Sequence, residues 1–147
     1  MSTIFADKFK NTSGGNPVQI NQLRGIDTAG SIAVQGEGTA TTNLQQGLAK
    51  AWINFVGAGT SINDSFGMSS LADDGTGIYT ITMSSVMSNA NYSITIGIKE
   101  LGGGNNHAGV VKGDVTVTTT VFAMRTYSSG TPQDVTFVYD TVHGDLA

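Results

Sequence analysis

Over the second two thirds of the chain, apolar and polar residues alternate in short runs separated by Gly, Asn, Asp and Ser. The cleanest run is Tyr92, Ile94, Ile96 and Ile98 against Ser93, Thr95, Gly97 and Lys99, the period of a half-buried strand. Ala51–Val56, Ser65–Leu71 (with Phe66 and Met68 in phase) and Ile78–Met83 also read as strands. Asp73–Gly77 is the hairpin turn between the last two, its glycines supplying positive φ. Ser84–Asn91 and Leu101–Gly109 read as loops. Val115–Tyr127 is β-branched, and its apolar phase moves from Val115 and Val117 to Phe122 and Met124, which predicts a bulge or turn near Thr118–Thr120. Ser128–Pro132 is the next turn, and Val135, Phe137 and Tyr139 alternate through a final strand. About six short strands joined by Gly-rich turns predict an all-β fold, an antiparallel β-sandwich.

The first part of the chain has a different texture. Ile4, Phe5 and Phe9 precede a dense turn signal, Asn11–Pro17. Short alternations at Val18/Ile20 and Ile32/Val34 are interrupted by Gly25, Gly30, Gly36 and Gly38. Residues 1–40 hold too few apolar side chains to bury themselves, so they read as an extended N-terminal arm that orders against something else. Residues 41–51 contain the helix, a connector of one to two turns. Thr42 or Asn43 is placed as its N-cap, and Leu44 and Leu48 share a face. Residues 52–147 form the sandwich domain, with Trp52, beside Phe55, expected as a buried anchor.

Composition sharpens this picture. Charged residues are 12% of the chain, about half the usual share, so the surface is built from Thr, Ser, Asn, Gln and Gly and suits packing among copies of itself. The net charge is −4, unevenly spread: residues 1–50 carry four bases and three acids, residues 51–147 three bases and eight acids. Neither part has the basic stripe that phosphate neutralisation requires, which argues against nucleic-acid binding. The absence of Cys excludes disulfides and thiolate chemistry. Met1–Lys10 lacks a leader's apolar core, and no apolar run approaches membrane-spanning length. The expectation is synthesis in a cytoplasm without membrane insertion.

One stretch resembles a known module. Gly47-Leu48-Ala49-Lys50-Ala51-Trp52-Ile53-Asn54-Phe55 is followed by Ser65-Phe66, Met68-Ser69-Ser70, Asp73-Asp74-Gly75-Thr76-Gly77-Ile78-Tyr79-Thr80 and Ser88-Asn89-Ala90-Asn91-Tyr92. This order is similar to a recurring phage tail-fibre module of the form KAW-x-NF, SF-x-x-SS, DNGTG-x-Y and DANY. Phe122–Tyr127 and Asp134–Tyr139 resemble its last two strands. Asp74 stands for the module's Asn, Met87 for its usual Pro and Asn89 for its Asp. The resemblance implies a homotrimeric virion appendage carrying a compact β-sandwich, attached to another tail or capsid protein through residues 1–40 and recognising a host surface glycan or protein. Trimerisation would bury Leu44, Leu48 and Trp52 near the axis. A capsid decoration (cement) protein is the alternative role, and a polysaccharide-degrading enzyme a more remote one.

Candidate chemistry is sparse. His107 and His143 match no metal-ligand spacing and read as surface residues. Asp64, Asp73 and Asp74 could suggest paired carboxylates, but Asp73 and Asp74 lie where a turn favours Asp. Gly102-Gly103-Gly104 lacks the Lys and helix of a phosphate loop. No catalytic, cofactor or metal residue is assigned. The receptor-facing candidates are Asn105, Asn106, His107, Tyr127 and Ser128, polar residues expected in loops.

Overall fold

In Ala51–Phe55 the alternate residues Ala51, Ile53 and Phe55 are buried, and Trp52 and Asn54 face the other way. That two-residue period recurs in Ile78–Met83 and Phe137–His143, and these strands form the centre of two stacked sheets. The computed structural model describes residues 32–35, 39–99, 101 and 106–147. Its elements are β1 Ala33–Gln35, β2 Thr41–Asn43, α1 Leu44–Gly47, β3 Ala51–Phe55, β4 Ile62–Phe66, β5 Met68–Gly75, β6 Ile78–Met83, β7 Ser93–Lys99, β8 His107–Val111, β9 Val121–Ser128, β10 Thr131–Pro132 and β11 Phe137–His143.

The fold is all-β and antiparallel. One sheet has the order β4-β3-β11-β7. In the other, β5, β6 and β9 pair in that order, and β9 also pairs with β8 and, at its last two residues, with β10. The inner faces meet in a core of Ile53, Phe55, Val138 and Val142 from the first sheet against Tyr79, Ile81, Phe122 and Met124 from the second. Phe55 and Tyr79 pack edge to face across it, centroids 5.0 Å apart. Tyr79 keeps its hydroxyl satisfied by donating to Asp134 Oδ1 at 3.1 Å.

Several expected elements are redrawn. Ser65–Leu71 is not one strand: the chain turns at Gly67, ending β4 and starting β5. Gly67 has φ +68°, and a Cβ there would lie 2.7 Å from the Lys50 carbonyl oxygen, so this corner between sheets takes only glycine without strain. His107–Val111, expected as loop, is β8, paired with β9 from His107↔Ser128 to Val111↔Met124. Val115–Thr120 lies outside any strand. Thr118 Oγ1 accepts from the Val121 amide at 2.9 Å, making the turn from which β9 starts. In β11 the buried residues are Val138, Asp140 and Val142, so Phe137 and Tyr139 face outward, opposite to the expected phase. Val135 is buried from the segment before β11, and parity is lost between the two.

Trp52 is not a buried anchor. It is half-buried on the outer face of its sheet, directly opposite Phe66. The connector holds a single helical turn, capped by Asn43, whose Oδ1 accepts from the Gln46 amide at 3.3 Å. Thr41–Asn43 is instead strand, paired with Ala33–Gln35. Of the expected arm, residues 1–31 and 36–38 lie outside the described residues.

Candidate binding surface

The strand directions give the sandwich two distinct ends. Backbone hydrogen bonds from Lys50 to Val142 (2.8 Å), Ser84 to Gly67 (2.9 Å) and Met87 to Thr119 (2.8 Å) tie one end together. Bonds from Gly57 to Val135 (3.1 Å), Thr126 to Gly77 (2.8 Å) and Ser129 to Asn106 (2.8 Å) tie the other. The connector enters β3 at the first end, hereafter the foot. The second end carries the turns.

At the turn end the structure gathers four of the five receptor-facing candidates. His107 pairs with Ser128 across β8–β9, Tyr127 pairs with Ala108, and the Asn106 carbonyl accepts from Ser129. Asn105 lies outside the described residues. Tyr127 and Ser128 are strand residues rather than loop residues, held next to a two-residue turn. Ser129 (φ 49°) and Gly130 (φ 83°) both occupy the left-handed region, as a tight hairpin requires. The Tyr127 hydroxyl accepts from Arg125 Nη1 at 3.4 Å. Leu101, two thirds exposed, sits at the same end through its amide bond to Thr136 Oγ1. This surface offers an imidazole, a phenol, an amide and hydroxyls, all suited to hydrogen-bonding a polar ligand.

The carboxylates of Asp73, Asp74 and Asp134 at this end are engaged in structure. Asp134 Oδ1 accepts from Gly77 N and Tyr79 Oη. Asp73 Oδ1 accepts from Gly75 N at 2.9 Å, and Asp74 Oδ2 from Thr80 Oγ1. His107 and His143 lie at opposite ends, His143 opposite Ser93 at the foot. Among the described residues no three His, Cys, Asp or Glu side chains converge as a metal site would require. No helix among them is long and apolar enough to cross a membrane.

The foot differs in chemistry. Leu48 (55% exposed), Phe66 (58%), Val86 (50%) and Leu146 (38%) present apolar surface to solvent. Leu48, Phe66 and Leu146 line a cleft of about 390 Å³ with Lys50. Of the expected trimer contacts, Leu48 is in this cleft, Trp52 adjoins it through Phe66, and Leu44 is half-buried on α1. A smaller polar cleft of about 280 Å³ lies beside it, lined by Gln46, Asn89, Tyr92, His143 and Asp145 among others.

Sequence reasoning named Leu48 and Trp52 but missed Phe66 and Leu146, which come from opposite ends of the sandwich sequence and meet only in the folded cleft. It also missed Asp140, buried on β11. No family model, curated protein or solved structure matches this chain.

Proposed function

We propose that this chain is a bacteriophage virion structural protein, a tail-fibre-like homotrimer that attaches through its N-terminal arm and presents its sandwich for host-surface recognition. The observation that carries the reading is the polarity of the domain. The arm and connector join at the foot, where exposed apolar residues cluster, and the polar receptor-facing candidates sit at the opposite end. Such a layout lets one end be consumed by assembly while the other stays in contact with solvent. Copies brought together at the foot convert weak single-site contacts into avidity. The module resemblance points to the same reading.

The test is adsorption of the purified protein to host cells. Asn106→Ala combined with Tyr127→Ala should weaken binding at least tenfold while leaving the unfolding midpoint in place. Leu48→Asp should weaken it by loss of multivalency. Binding indifferent to both would contradict the proposal, and shell fragility on removal of the protein would point to a decoration role instead.

A further inference from the structure

Asp140 lies on β11, an interior strand, between Ile53 of β3 and Ile96 of β7. It is 1% exposed, and among the described residues neither carboxylate oxygen has a hydrogen-bond partner. A buried polar group without a partner is costly, and an ionised one far more so. Turning the side chain outward would demand a one-residue slip of β11, which would expose Val138 and Val142. The group therefore cannot escape by a rotamer change.

Among the described residues its surroundings offer no counter-charge. The inward residues are Ile53 and Phe55 on β3 and Ile94, Ile96 and Ile98 on β7, with Ile81, Phe122 and Met124 across the core. Asp64 on β4, Lys99 on β7, and Tyr139 and His143 on β11 lie on the outer face of the same sheet, and Arg125 and Tyr127 alternate with the inward Met124 on β9. The other titratable groups near the core are Tyr79 on β6, Lys50 at the start of β3 and His107 at the far end of β8. Tyr79 donates to Asp134, Lys50 donates to the Leu48 carbonyl, and His107 is held opposite Ser128 at the turn end.

We propose that Asp140 is a proton-linked clamp on the core, leaving the sandwich closed as a neutral acid and loosening it when ionised. Desolvation pushes its pKa from 3.8 up to about 7. The folded-state value is raised above the unfolded one, so stability is fully present below about pH 4. It is lost as pH rises towards 7, and above that both states are ionised and the effect levels off. Across this window the unfolding constant rises up to tenfold per pH unit.

Equilibrium urea unfolding from pH 4 to 9, on the wild-type chain and on Asp140→Asn, reads this directly. The wild-type constant should rise by roughly a thousandfold relative to the variant, all of it between pH 4 and 7. Parallel profiles would overturn the proposal. Should the variant not fold, carboxyl carbon NMR of the folded wild-type protein decides. One aspartate titrating near pH 7 supports the clamp, and all aspartates titrating near pH 4 contradict it.

Discussion

The sandwich and the β1–β2 hairpin at its foot are built from the same kind of sequence, short alternating strands with few charges, yet they are closed in different ways. In the central strands of the sandwich one face is withdrawn from water, and Phe55, Tyr79, Ile81, Phe122 and Val138 are fully buried. In the hairpin Ala33, Val34 and Gln35 are all exposed, Val34 at 51%. A two-stranded hairpin with neither face covered is marginal in water. Burial is what sustains a strand. The sandwich supplies its own burial, and among the described residues the hairpin finds little.

Substitutions can break this contrast at graded strength. The largest effect is expected for Phe55→Ala, which empties the centre of the core and should cost about 3–5 kcal/mol by urea unfolding. Val34→Ala should change the unfolding free energy of the same protein by less than about 0.5 kcal/mol. Gly77→Ala comes next. Gly77 has φ +65°, and its new Cβ would meet the Thr126 carbonyl oxygen at 2.6 Å, so a loss of about 2–3 kcal/mol is expected. Asp134→Ala strands the Gly77 amide and the Tyr79 hydroxyl without their acceptor, for about 1–3 kcal/mol. The smallest effect belongs to Asn43→Ala, which removes the cap of α1. Amide exchange at residues 44–48 should quicken while protection in β3, β6, β9 and β11 is unchanged, and faster exchange in those strands would contradict the separation of the two regions.

Much of the sandwich was legible in the sequence because local chemistry decided it. Tyr92–Ile98 shows its period openly, and the glycines of Asp73–Gly77 announce their turn. What was hidden depended on contacts made at a distance. A β8 strand containing Gly109 reads as loop until β7 is seen against it, since a Cβ at Gly109 would strike Ile96 Cγ2. The inward phase of β11 could not be read from Val135, which is buried before the strand begins. Hydropathy placed Phe137 and Tyr139 inside and Asp140 outside, and the structure does the reverse. For the binding surface, residue types pointed to His107 and Tyr127, but their proximity rests on the β8–β9 register. Trp52 was misjudged because its hydrophobicity said "inside" while its position, one residue from Ile53, put it on the outer face.

The central claim is that one end of the domain assembles and the other faces the host. Imaging of intact particles with a gold label directed at residues 60–147 tests it most directly. Label at the tail or its fibres, displaced outward from the attachment point, is the predicted result. Label spread over the capsid would contradict it.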